Sequence, residues 1–142
     1  MKIVHQLLEA KGSDVWSVAP DETVYEAVRR MAEKEVGALL VMEGERLVGI
    51  LSERDYARQV ILKGRASRDT PVRDIMTRDV VTGRLEHRID VCMARMTERR
   101  IRHLPIVEDG QVVGMISIGD LVKAIIAEQR ATIEQLEQYI TG

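Results

Sequence analysis

"GILSERDY" (residues 49–56) and "GMISIGDL" (residues 114–121) are two forms of one phrase. Each is an apolar, strand-like run that reaches a serine and then an aspartate three residues later. Adding 65 to Gly49, Ser52 and Asp55 gives Gly114, Ser117 and Asp120. The same offset holds upstream. Val24, Ala27, Val28 and Met31 map onto Ile89, Cys92, Met93 and Met96, both sets spaced i, i+3, i+4, i+7 as on the apolar face of a helix. Leu39 maps onto Leu104, Glu43 onto Glu108 and Val48 onto Val113. Matches concentrated at structural positions indicate a duplicated unit.

Each unit predicts the same order of elements. An extended segment (15–18, 80–83) leads into an amphipathic helix (about 22–35 and 87–100). Thr23 with Glu26 forms a capping-box pattern at the first helix; the second lacks one. Two short strands follow, joined at Glu43-Gly44-Glu45 or at Asp109-Gly110, a strong hairpin signal. A second helix starts at Ser52 or Ser117. The first of these should end near Lys63-Gly64, where glycine suits a C-cap. Segment 64–71 reads as a linker, and an N-terminal helix over about 2–11 precedes the first unit. The apolar runs Leu47–Leu51 and Val112–Ile116 predict strands covered on both faces. The last helix is long, and its apolar positions 122, 125, 126, 133, 136 and 140 predict one face packed on the body or on a partner. A unit of some 50 residues buries its sheet face poorly alone. The expectation is therefore one α/β module over 1–142. It comprises two pseudo-symmetric β-α-β-β-α repeats (12–64 and 72–127) packed sheet to sheet, with an extra N-terminal helix and a C-terminal helix extension (128–142).

Composition narrows the function. The 142 residues are 45% apolar, enough for a core, but contain no Phe, one Trp and three Tyr. Stacking platforms for single-stranded nucleic acid are therefore not expected. A net charge of −2 argues against a dedicated nucleic-acid or membrane-surface binder. One cysteine, Cys92, precludes an internal disulfide framework. No signal-peptide pattern and no span of roughly 20 apolar residues is evident, so a cytoplasmic protein is expected. His5, His87 and His103 lack metal-ligand spacing, no phosphate-cradling P-loop appears, and no acid–base–nucleophile set emerges. Cys92 shares the apolar stripe with Met93 and Met96, which marks a core thiol.

Serine and aspartate three residues apart have two roles open to them. One is helix capping, with the serine at N-cap and the acid in the first turn. The other is ligand binding. A carboxylate accepts both hydrogens of a ribose diol, and a hydroxyl with free N–H groups at a helix start suits phosphate. Local charge supports an anionic ligand. Segment 52–73 holds six basic residues against three acidic, and segment 95–103 holds four arginines against Glu98. A solvated face is the alternative for most of them.

The paired units, with G-h-h-S-x-x-D after a hairpin, "RHLPIV" (102–107) before it and "VRDIMT" (72–77) opening the second repeat, resemble a CBS domain pair, or Bateman module, over about residues 12–127. The first repeat departs from the pattern at "GALLVM" (37–42), which lacks the basic residue and the proline. The resemblance implies a regulatory, non-catalytic module of the stand-alone type. Such modules bind adenine nucleotides (AMP foremost, or ADP, ATP, NAD or S-adenosyl compounds) between the repeats, without a required metal, and usually pair into disc-like dimers. It implies a homodimer with an unknown protein target; charge and aromatic content leave no nucleic-acid or membrane partner expected. Asp55 and Asp120 would hold ribose, and Ser52 and Ser117 phosphate or ribose. Ser17 and Val18, with Val81, Thr82 and Gly83, would border the adenine. Val36, Gly37 and Ala38 would wall one pocket; Arg102, His103 and Leu104, with Pro105 of the same motif, would wall the other. Ile50 and Met115 would cover the base. Arg54 and Arg58 flank the first site, and Gly119 stands where Arg54 has its counterpart, so the two sites should differ. An interaction protein with empty sites, or a nucleotide-acting enzyme, are the alternatives that binding and turnover measurements would separate.

Overall fold

The two units fold into matching elements at the same spacing. In the structure, a computed structural model describing residues 2–141, helix α1 covers Val4–Lys11, strand β1 Ser17–Val18 and helix α2 Val24–Lys34. Strands β2 (Ala38–Glu43) and β3 (Arg46–Ser52) follow, then helix α3 (Glu53–Tyr56). The second unit has helix α4 (Ile89–Arg99), strands β4 (His103–Glu108) and β5 (Gln111–Ser117), and helix α5 (Ile118–Thr141). From α2 to β3, every boundary recurs 65 residues later in α4 to β5.

The first sheet has the order β1-β2-β3, with β1 parallel to β2 and β2 antiparallel to β3. The second is the β4-β5 hairpin. Extended segment 80–83 shrinks to one parallel bridge, Gly83 to Ile106. A Cβ on Gly83 would lie 2.9 Å from Leu104 Cδ2, so only glycine lets the chain come this close. The hairpins turn differently. Gly44 alone has positive φ (64°), the sign pattern of a type II′ turn, whereas Asp109 (51°) and Gly110 (77°) both do, as in type I′. Both primed turns match the right-handed strand twist, and the register of each hairpin shifts at a bulge in the same place, Val41/Met42 and Ile106/Val107.

Helices α2 and α4 end alike, on left-handed Glu35 (φ 55°) and Arg100 (φ 56°). The next residue's N–H returns to the last turn, Val36 to Met31 and Ile101 to Met96. That pattern is a Schellman close carried by non-glycine residues. At the start of α2 only half of the expected capping box forms. Thr23 accepts from the Glu26 N–H, but the Glu26 carboxylate turns to Arg29. Helix α3 continues as a π-helical turn, Ala57–Ile61, closed by the Leu62 N–H on the Ala57 carbonyl, and left-handed Gly64 (φ 68°) ends it.

Each unit has its own apolar core, and each core is completed by the segment that precedes the other unit. Val4, Leu7 and Leu8 of α1 pack with Ile89, Met96, Leu104 and Ile116 of the second unit. Val72 and Ile75 pack with Val24, Met31, Leu39 and Leu51 of the first. Burying each such large aliphatic side chain contributes roughly 1.5–3 kcal/mol. Gly49 abuts Met76, and Gly114 abuts Leu8 in the same way. This exchange locks two small units into one α/β module, with strands β3 and β5 adjoining.

One expectation is corrected. Strands β3 and β5 are not covered on both faces: Leu51 and Ile116 are buried, but Ile50 and Met115 are only partly so, because each borders a cleft. Of the body and a partner, the two surfaces expected for the long helix, the body takes only its start. Leu121 is its one buried residue among those described, and Ile133, Leu136 and Ile140 are exposed.

Candidate functional site

The serines and aspartates first satisfy their own helices. Ser52 Oγ accepts the Asp55 N–H (3.2 Å), while Asp55 Oδ2 accepts the Ser52 N–H (2.9 Å) and the Ser52 hydroxyl (3.0 Å). Ser117 and Asp120 repeat the exchange at 3.1 and 2.8 Å. The first helical N–H of each helix is also taken, Glu53 by the Gly37 carbonyl and Ile118 by that of Arg102. Capping therefore occupies the serine oxygens and the first and third N–H groups of each helix, which the sequence offered to phosphate. One oxygen of each carboxylate stays available. Among the described residues neither Asp55 Oδ1 nor Asp120 Oδ1 accepts a hydrogen bond, and Asp55 lines a cleft.

That cleft, about 360 Å³, lies between the units and brings Ile50, Ser52, Arg54, Asp55 and Arg58 together with Arg102 and His103 of the second repeat. Its volume suits a small ligand. Four arginines (54, 58, 100 and 102) face two acids, Glu53 and Asp55. An adjoining groove of about 470 Å³ shares all four arginines, so the positive lining continues away from Asp55. Arg54 Nη1 reaches the Arg100 carbonyl at 3.4 Å, tying α3 to the end of α4 across the cleft.

The second cleft, about 300 Å³, is different. Val36, Gly37, Ala38, Met115 and Ser117 line it with His103, but so do Lys11, Asp14 and Trp16. No arginine lines it. Lys11 Nζ donates to Asp120 Oδ2 at 2.6 Å and also to the Met115 carbonyl. Burial works to raise the Asp120 carboxyl, but the Lys11 ammonium and the Ser117 N–H outweigh it and hold it below the usual carboxylate range. Asp120 is thus ionised and already matched with a cation. His103 stands at the junction of both clefts, its Cε1 and Nε2 each 3.5 Å from where a Gly37 Cβ would be. Burial, then the Lys11 charge, lowers its imidazole below the ordinary value, so it is neutral at pH 7.

Other expected residues sit behind the clefts. Val18, Leu104 and Pro105 are buried in sheet or core, and Val81 packs against the second core. The Ser17 and Thr82 carbonyls accept Arg30 and Arg95 at 2.7 Å each. Gly83 bridges to Ile106, and Gly119 is exposed in the first turn of α5. Lys11, Asp14, Trp16, Thr77 and Arg100 line the clefts without having been singled out for them. Thr77 exchanges two backbone bonds with Ile50 at 2.9 Å each, which seats "VRDIMT" against the first site. Trp16 carries Lys34 Nζ 4.4 Å above its ring.

Two clefts at pseudo-equivalent places, between repeats of this topology, decide the family, and the sequence agrees: residues 11–61 and 72–127 each match the CBS domain. The chain belongs to the CBS-domain family. It is 44% identical over 138 residues to the mitochondrial CBS domain-containing protein CBSX3 of Arabidopsis thaliana, covering 94% of this chain and 66% of that one. The chain thus spans about two thirds of that CBS relative's length. It is similar to the solved CBS domain NE2398, with a TM-score of 0.85 and 49% identity over 88% of this chain and 98% of that one. The CBS domain pair of protein MJ0100, solved with 5-methylthioadenosine and S-adenosyl-L-methionine, shares the fold at a TM-score of 0.78, with 22% identity over 90% of this chain and 98% of that one. Among the described residues no cluster of three or more His, Cys, Asp or Glu could hold a metal, and no helix is long and apolar enough to cross a membrane.

Proposed function

We propose that this CBS pair is a cytoplasmic, non-catalytic regulatory module that binds an adenine nucleotide of the AMP, ADP, ATP or NAD type, acts as a homodimer, and signals to a protein target. The observation that carries this is the first cleft: one unengaged carboxylate oxygen on Asp55 beside four arginines. In this account Asp55 Oδ1 receives the ribose diol, and Ile50 covers the base. Arg54, Arg58, Arg100 and Arg102 meet phosphate in place of the serine and N–H groups used in capping. A lining of four guanidiniums along a continuing groove suits two or three phosphates better than one. The adenosine compounds held by the MJ0100 pair support the adenosine part of the ligand. The second cleft is the weaker site. Its lining holds no arginine, and Lys11 already occupies Asp120 Oδ2.

Thermal unfolding with AMP, ADP, ATP, NAD, S-adenosylmethionine and a GTP control tests this. A ligand at 100 times its dissociation constant adds about 2.7 kcal/mol, a shift of roughly 2–8 °C. The account expects shifts confined to adenine compounds, lost in Asp55→Ala and largely kept in Asp120→Ala. No shift with any nucleotide would leave Asp55 a helix cap only.

A further inference from the structure

The body-facing residues of α5, Leu121, Ala124 and Ile125, join the second core. A separate apolar row runs along the same helix, rotated from them by about a quarter turn at 3.6 residues per turn. Val122, Ile126, Ile133, Leu136 and Ile140 form this row and are 41, 43, 54, 58 and 81% exposed. A monomer rarely shows so continuous an apolar strip.

The row follows a strict heptad. Ile126, Ile133 and Ile140 recur every seven residues at the a position, and Val122, Gln129 and Leu136 at d. No charged residue enters the row. The charges of this stretch stand at Lys123, Glu128, Arg130, Glu134 and Glu137, outside it. β-branched residues at a with Leu or Val at d favour two strands, so the occupant this face fits is another helix of the same heptad. We infer that α5 pairs in parallel with α5 of a second copy of this chain, forming a short coiled coil over residues 122–140.

Two features select the parallel sense. In parallel pairing Gln129 meets Gln129 of the other copy, and each amide satisfies its neighbour. In the antiparallel register that aligns a with d, Gln129 faces Ile133 twice, which buries an amide without a partner. That register also sets Arg130 against Arg130 at its centre. The parallel one brings Ile125 to Arg130 and Thr132 to Glu137, with no like charges facing. The antiparallel sense gains only Lys123 with Glu137 at the exposed rim, where ion pairs contribute little. The pairing rests on the proposed homodimer, whose interface it names, and lies apart from the nucleotide clefts.

The test measures mass by light scattering on the full chain at micromolar concentration, for wild type, Ile133→Asp and the double variant Ile133→Asp with Leu136→Asp. Both positions are exposed in the monomer, so circular dichroism and the melting temperature of the body should hold. The wild type should be dimeric, and the double variant should weaken dimerisation by more than about a hundredfold. A full-length Ile133→Cys variant should then form a disulfide across the pair on mild oxidation. A monomeric or higher-order wild type, or a double variant that stays dimeric, would overturn the proposal. Failure of Ile133→Cys to cross-link within an intact dimer would overturn the parallel sense.

Discussion

Lys11→Met tests how α1 closes the second cleft. The ammonium donates to Asp120 Oδ2 and to the Met115 carbonyl, with the Lys11 and Asp120 side chains 34% and 23% exposed. Hydrogen bonds to charged groups contribute about 1.5–3 kcal/mol when buried, and exposed ion pairs about 0–1 kcal/mol. The partly buried geometry places the loss in Lys11→Met between these, at about 1–2 kcal/mol at pH 7. Methionine keeps the stem packing, so the loss reports the ammonium. A double-mutant cycle with Asp120→Asn isolates the pair and should give a coupling of about 1 kcal/mol by urea unfolding. The pH dependence has a fixed sign. The Asp120 carboxyl is lowered on folding, so its contribution is full above the ordinary carboxylate value of 3.8 and disappears as pH falls through the lower folded value. A coupling below about 0.3 kcal/mol at pH 7, or one that grows on acidification, would refute the pairing.

Three other outcomes follow from single contacts. Gly49→Ala should cost about 1–3 kcal/mol in urea unfolding, because its Cβ would lie 2.6 Å from Met76 Sδ and 3.0 Å from the Thr77 carbonyl oxygen. Arg54→Ala with Arg58→Ala should weaken ATP binding by roughly tenfold or more, at about 1 kcal/mol per arginine, while changing AMP binding less and flattening the salt dependence; equal losses for both would contradict a polyphosphate site. Burial raises the Cys92 thiol, so a disulfide reagent should modify it only at the rate of unfolding, and fast labelling of the native protein would show an open core.

The duplication carried most of the fold because both period and offset are local quantities. An apolar row at i, i+3, i+4, i+7 needs no partner to be recognised, and its recurrence 65 residues later fixes α2 against α4 and each hairpin against the other. The exchange of upstream segments was not legible: Leu8 over Gly114 and Met76 over Gly49 are long-range choices that neither segment signals by its own pattern. Lys11 illustrates the same limit at the site. Its partner Asp120 lies 109 residues away, and a lysine ending a helix reads locally as a C-terminal charge. The serines are ambiguous for another reason. Their spacing fits capping and binding alike, and each serine oxygen accepts the third N–H of its own helix. Arg100 escaped notice as a site residue because its place at the cleft comes from the left-handed end of α4.

Calorimetric titration of ATP into the wild-type protein and into Asp55→Asn tests the central claim most directly. Asparagine keeps an acceptor for the Ser52 cap but loses the carboxylate's charge. The account predicts saturable ATP binding to the wild type and a loss of about 1.5–3 kcal/mol, roughly 10- to 150-fold in affinity, in the variant. Equal affinity in both proteins, or no binding to the folded wild type, would contradict a nucleotide site at Asp55.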